Sequence, residues 1–308
     1  MPRCRLLTRA DFDGLASAIL LEALTVTDRF DFVHAADVRS GKLRPGPGDV
    51  TVNLPCVADV RLAFSREPCA GTSDAWVVDP AAPSCARLIC RHFDVSPEGL
   101  GVDVALIDAV DQAVAGDLGV ADVLNPQGWL LLDAITDAHS GLGRLHHFAV
   151  GNLALMRALV AYCRDHTLSE VLNLPDVAER VEALRGAQAA AREQILRCAR
   201  VFGDCVLVDL RAEAVIHPAS RYLVYALFPA ARFALSVYWG RQGANTVLAL
   251  GRSIFAPGGG RDVAALLTRF GGGGHVAAGS CQVSNADADQ VLARLLMSLD
   301  TGGGMALA

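Results

Sequence analysis

From Val177 to Val201 the chain contains no proline and a single glycine, Gly186, and it is rich in Ala, Arg, Glu and Leu. Those four residue types lose little conformational freedom in a helix, so the stretch predicts one long, uninterrupted helix. A helix of that length divides what lies on either side of it. The expected organisation is therefore a first domain over residues 1–176, a connector helix over 177–201 and a smaller second domain over 202–308. In the first part, a short apolar run at residues 4–8 reads as a buried strand. Helical spacing of Leu15, Ala18, Ile19 and Leu24 follows it. Further strands are expected at 30–34, 49–52 and 76–78, and helices at 84–93, 102–116 and 154–164. Strands alternating with helices imply an α/β layer with a mostly parallel sheet. After the connector come strands at 205–209, 232–239 and 246–251. A helix at 261–270, a glycine run and a strand at 280–283 follow, which makes a second, smaller α/β domain. The glycine-rich tail from Thr301 to Met305 is expected to be disordered.

The 308 residues are 52% hydrophobic, enough for two cores. With 27 Lys+Arg against 33 Asp+Glu, no global positive field exists to capture long nucleic acid, so none is expected as a partner. Arg3, Arg5 and Arg9 are followed by Asp11 and Asp13 before any long apolar run, which argues against a signal peptide. No uncharged apolar stretch is long enough to span a bilayer. The nine cysteines show no C-x-x-C pair and no zinc spacing. Most read as small core residues, Cys205 among them, and a cytoplasmic location is expected.

Three segments could carry chemistry. In Thr8-Arg-Ala-Asp-Phe-Asp-Gly14, two carboxylates two residues apart sit where a strand gives way to a helix. On an extended segment both would share a face and could hold one Mn²⁺ or Mg²⁺. Gly14 would permit a sharp turn. The alternative is an Asp N-cap with a solvated neighbour. Asp137 follows the apolar run ending Leu132-Asp-Ala-Ile-Thr136 and precedes a loop containing Gly141 and Gly143, and Arg144 beyond it could meet a phosphate. Alone, that pair reads more simply as a helix cap and a surface arginine. In Arg269-Phe-Gly-Gly-Gly-Gly-His275, consecutive N–H groups could form an anion-binding nest, with His275 adding a donor. A flexible loop is the alternative. Just upstream, Arg252 in Gly251-Arg-Ser253 could fork two phosphate oxygens.

Taken in order, Asp-x-Asp-Gly, Thr-Asp, Arg-Ser and Gly-Gly-Gly-His resemble the DHH/DHHA1 phosphoesterase superfamily. Its members include RecJ-like nucleases, nano-RNases, cyclic-dinucleotide phosphodiesterases and exopolyphosphatase-like proteins, and the last of these bear the nearest likeness. Asn53-Leu-Pro55, Asp79-Pro-Ala-Ala-Pro-Ser84 and Asn125-Pro-Gln-Gly-Trp129 extend the resemblance over nearly the whole chain. The resemblance implies a DHH domain, a connector and a DHHA1 domain, with a Mn²⁺-activated water in the first and substrate phosphates held by the second across an interdomain cleft. Asp11, Asp13 and Asp137 match the metal ligands. Asn53 falls where many relatives have a bridging aspartate. Arg252, Ser253, Gly273, Gly274 and His275 match the substrate-binding segment. One departure stands out: the Asp-His-His triplet that names the family should follow Leu62-Ala-Phe64, and here Ser65-Arg66-Glu67 stands in its place. The imidazoles are missing, and Arg66 puts a positive charge where cations are expected. Val114 replaces an acidic residue of close relatives. His139, His146 and His147 read as loop residues, with no sign that they substitute.

The expectation is therefore a protein that binds a small phosphorylated ligand, a short oligonucleotide, nucleotide or polyphosphate, with hydrolysis impaired and Mn²⁺ held weakly or not at all. The alternative is a non-catalytic relative that binds a phosphorylated ligand or a partner. No membrane association is expected, and a homodimer is compatible with the sequence.

Overall fold

The computed structural model describes residues 4–145, 148–256 and 261–299. The tail expected to be disordered, and His146 and His147, lie outside the described residues. In chain order the elements of the first part are β1 (Cys4–Thr8), α1 (Phe12–Ala23), β2 (Thr27–Phe32), α2 (Ala35–Arg39), β3 (Asp49–Val52), β4 (Leu62–Ser65), β5 (Trp76–Val78), α3 (Cys85–Phe93) and α4 (Val104–Ala115). They continue as α5 (Val120–Leu124), α6 (Gly128–Thr136), α7 (Leu142–Leu145), α8 (Asn152–Asp165), α9 (Leu168–Leu172) and α10 (Pro175–Cys198). The chain forms two compact units. The first holds residues 1–118 and 125–184, and the second holds 119–124 and 185–308.

In the first unit the five strands form one parallel sheet in the order β2-β1-β3-β4-β5. All four residues of β3 are buried, as expected of a parallel strand covered on both faces. Helix α1 is covered almost all round: Leu15 to Leu21 are buried, and the helix packs against α3, α4 and α8. The strand β4 was not anticipated from the sequence, and it ends on Ser65, the first residue of the altered triplet. The first half of α10 is anchored by Arg180, which is 1% exposed. Its guanidinium donates to the Val150 and Asp176 carbonyls and lies 4.2 Å from the Phe148 ring centre.

The second unit continues with β6 (Ala199–Phe202), β7 (Cys205–Asp209), α11 (Leu223–Leu227), β8 (Phe233–Trp239), β9 (Thr246–Arg252), α12 (Val263–Thr268), β10 (Gly273–His275), β11 (Ala278–Val283) and α13 (Ala288–Leu299). Its six strands run in the order β10-β11-β9-β8-β7-β6, antiparallel except for the β7–β8 pair. Leu267 of α12 and Leu295 of α13 share a core cluster with Leu235 and Leu250 of the sheet, and another cluster gathers Val206, Val224 and Tyr225.

Two cysteines depart from the expectation of isolated core thiols. Cys56 and Cys69 lie side by side with their Cα atoms 5.6 Å apart, within reach of a disulfide, while the other seven are free. Two connections bring this pair together, and their spacing in sequence carries no trace of it. Among the described residues, no helix is long and apolar enough to cross a membrane.

Candidate phosphate and carboxylate site

Ligands of open parallel sheets bind beyond the carboxyl ends of the strands, where the strand order reverses. Here that point lies between β1 and β3, since the chain leaves β1 toward β2 on one side and returns to β3 on the other. The residues that follow these strands are the expected ones: Asp11 after β1, Asn53 after β3 and Arg66 after β4.

Asp11 is the N-cap of α1, its Oδ1 accepting the Gly14 N–H at 2.9 Å. Its Oδ2 lies 3.1 Å from Arg9 Nε and 3.4 Å from the Asn53 amide nitrogen. Asn53 has φ +55°, a left-handed conformation that asparagine tolerates better than most residues, and its N–H donates to the Phe64 carbonyl at 3.0 Å. Gly14 serves close approach, not a turn as expected from the sequence. A Cβ there would sit 2.0 Å from the Arg9 carbonyl oxygen and 3.0 Å from Thr8 Oγ1. That Thr8 hydroxyl is buried and has no hydrogen-bond partner among the described residues.

Asp13 corrects the expectation of two carboxylates sharing one extended face. It lies in the first turn of α1 and is 1% exposed, not solvated. Both of its oxygens accept backbone N–H groups at the start of α3, Cys85 at 3.0 Å and Ala86 at 2.9 Å. Burial and the neighbouring Asp11 charge push its pKa up to about 6, opposed by the two amides and by Arg66. Burial, with the Asp13 charge adding, also pushes the Cys85 thiol well above its ordinary range. The α3 amides and Arg9 were not anticipated. The available signal was Ser84, an N-cap whose hydroxyl accepts the Arg87 N–H at 2.9 Å and so fixes where α3 begins.

The altered triplet forms a tight local turn. Ser65 is buried, its hydroxyl donating to the Glu67 carbonyl at 2.9 Å and accepting the Glu67 N–H at 3.0 Å. Arg66 Nε donates to the Ala82 carbonyl at 2.6 Å, just before the helix whose amides hold Asp13. A cavity of about 220 Å³ beside the turn is lined by Ser65, Glu67, Cys56 and Cys69.

Asp137 sits at the end of α6. Its Oδ1 accepts the His139 N–H at 2.8 Å and faces His139 Nδ1 at 2.9 Å. It does not join Asp11 and Asp13 in a group of three, and among the described residues no three His, Cys, Asp or Glu side chains gather to hold a metal. The donor set therefore does not fit the two-metal centre implied by the resemblance. The Asp13 oxygens face amides, the Asp11 oxygens face N–H donors, and two arginines neighbour the pair. Val114 packs against the apolar core of the first unit and supplies no acid. Arg144 lies in α7, and its side chain is outside the described part.

The second cluster belongs to the second unit. The hairpin pairs His275 with Ala278 and Gly274 with Gly279, while Ala278 faces Gly251 on β9. The Arg252 N–H donates to the Ala277 carbonyl at 2.9 Å, so Arg252, Gly273, Gly274 and His275 come together around one turn. Ser253 is buried beside them, accepting the Phe255 N–H at 3.1 Å. The glycine run is not a free nest of N–H groups. Gly272 donates to Leu267 at 3.0 Å and Gly271 to Thr268 at 3.1 Å, closing α12 in the Schellman pattern with Gly271 at φ +72°. A Cβ at Gly272 would lie 2.5 Å from Cys281 Cβ, whereas one at Gly273 meets nothing within 4 Å. Helix closure and strand contact account for these glycines and leave Gly273 as the open one.

No family model matches the chain, and no curated protein matches it. Among solved structures, it is similar to PggH, a pGpG-specific phosphodiesterase from Vibrio cholerae. The two are 36% identical with a TM-score of 0.84, over 98% of this chain and 100% of that one. RecJ from Thermus thermophilus in complex with Mn²⁺ shares the fold at 15% identity and a TM-score of 0.51, over 96% of this chain and 52% of that one. An α/β unit with a parallel sheet, a second unit with a mixed sheet and 36% identity with a phosphodiesterase over 98% of this chain agree with the motif order of the sequence, and the chain belongs to the DHH/DHHA1 phosphoesterase superfamily.

Proposed function

We propose that this protein binds a short phosphorylated oligonucleotide of the linear dinucleotide class, pGpG being the reference ligand, and that it hydrolyses it poorly. The observation that carries the ligand class is the 36% identity, over the full length of both chains, with a protein that acts on pGpG. The clustering of Arg252, Gly273 and His275 supports it, because a forked guanidinium and a small, open backbone suit a phosphate. In this reading residues 1–176 act as the DHH domain, 177–201 as connector and 202–308 as the substrate-binding DHHA1 domain, in the cytoplasm.

Poor hydrolysis follows from Ser65-Arg66-Glu67. A divalent cation would supply Lewis acidity and an activated water. Asp11, Asp13, Asp137 and Asn53 offer too few donors for it, and Mn²⁺ binding is correspondingly weak. The test is calorimetric titration with pGpG beside an anion-exchange assay for GMP release in Mn²⁺. Saturable binding is expected, with turnover slower than in intact relatives by roughly 100-fold or more. Absence of binding overturns the ligand class. Turnover at the rate of an intact relative overturns the impairment.

A further inference from the structure

The disagreement between the donor set and a metal centre has a positive side, because something other than a metal balances the charge of Asp11 and Asp13. Two guanidinium groups are in place to do so. Arg9 pairs with Asp11 at 3.1 Å, the two side chains 42% and 34% exposed. Arg66 is tethered to the Ala82 carbonyl at 2.6 Å, beside the α3 amides that grip Asp13. Two carboxylates thus meet two arginines, and each arginine remains charged at any physiological pH. The two guanidinium groups offset the carboxylate charge that would otherwise draw in a divalent cation, and they offer an anion the N–H donors that carboxylates lack.

We propose that Arg9 and Arg66 are the built-in cations of this site and that they grip a phosphate of the ligand directly, with no bridging metal.

The geometry suits the task. In both arginines Nε is the atom engaged by the protein, Arg9 on Asp11 and Arg66 on the Ala82 carbonyl. A guanidinium held at Nε still presents its terminal nitrogens in a planar fork, the arrangement that matches two oxygens of a phosphate. Each tether also fixes the orientation of its fork before the ligand arrives, which lowers the ordering cost of binding. The site is half-open through Arg9 and Asp11, so an anion can reach it. This role is distinct from that of Arg252, which belongs to the other unit.

The inference rests on the phosphate-ligand reading above, and the experiment separates the two. Calorimetric affinities for pGpG and for inorganic pyrophosphate are measured in EDTA and in Mn²⁺, for wild type, Arg66→Ala, Arg66→Lys and Arg9→Ala, with circular dichroism confirming each fold. Binding of pGpG in EDTA is expected, changed less than about threefold by Mn²⁺. Arg66→Ala should weaken it by about tenfold or more, the scale of a lost charge-assisted hydrogen bond, with Arg66→Lys restoring only part. Binding of pGpG that vanishes in EDTA, or that is indifferent to both arginines, overturns this inference and leaves the proposed function standing. Arg66-dependent binding of pyrophosphate in EDTA without any binding of pGpG overturns the dinucleotide ligand and leaves this inference standing. If neither probe binds under any condition, both fall.

Discussion

At the scale of single residues, Asp13 is the most consequential side chain in the molecule. Its pKa is raised to about 6 from an ordinary 3.8, chiefly by burial and by Asp11. Between those two values the unfolded chain has released this proton and the folded chain has kept it. Stability from this group therefore falls as pH rises through that window. An Asp13→Asn variant lacks the titration. Denaturant unfolding at pH 4 and pH 7 should show wild type losing on the order of 2–3 kcal/mol more than the variant over that interval, as the shift itself dictates. Equal losses would show that the carboxyl is not buried as described. Arg252 is the second such residue, placed by its backbone bond to Ala277 at the turn after His275. Arg252→Ala should weaken phosphate-ligand binding by roughly 1.5–3 kcal/mol, and Arg252→Lys should not restore it fully, because the fork is lost. Titration of both variants checks this, and unchanged affinity removes Arg252 from the site.

At the scale of elements, the β10–β11 hairpin separates a glycine that the fold requires from one that it leaves open. Gly274 has φ +155°, and a Cβ there would lie 2.3 Å from the Ala278 carbonyl oxygen. Gly274→Ala should cost at least about 1–3 kcal/mol of stability, since backbone strain and overlap combine. Gly273→Ala meets no atom within 4 Å and should leave thermal stability nearly unchanged while lowering ligand affinity. A Gly273→Ala protein that binds as wild type would show that ligand does not approach this backbone. The connection from Cys56 to Cys69 is the other element with a readable consequence, since it carries the altered triplet. Thiol labelling of the unreduced, unfolded protein should find the seven free cysteines, and two more after reduction.

At the scale of the whole molecule, the chain is a member of the DHH/DHHA1 phosphoesterase superfamily with Ser65-Arg66-Glu67 where the family triplet is expected. Restoring Ser65→Asp, Arg66→His and Glu67→His together supplies the missing ligands and removes one competing charge. Electron paramagnetic resonance of Mn²⁺ should then show tighter binding than in wild type, and GMP release at saturating pGpG should increase, while the loss of the Arg66 fork raises the concentration of pGpG needed. Asn53 in the bridging position and Val114 in the core both work against full recovery. A triple mutant that binds Mn²⁺ no better than wild type would mean that the cluster has been rebuilt beyond the triplet.

The sequence alone determined the kinship, the alternation of strands and helices, the long helix after Leu174 and the absence of the triplet, because each is written in local periodicity or in residue identity. It also placed Asp11 where strand gives way to helix, since an N-cap is a local device. What tertiary structure decided was the condition of those residues. Asp13 and the amides of Cys85 and Ala86 are separated by more than 70 positions and meet only because α3 packs against α1. No local pattern could show that the carboxylate is buried. Four consecutive glycines carry no mark of which closes a helix, which touches β11 and which stays open. Cys56 and Cys69 lie side by side only because two connections approach each other. Burial, charge neighbours and close backbone contacts are properties of packed elements. A family resemblance can name the residues of a site, but only the fold determines whether they face a metal, an amide or an arginine.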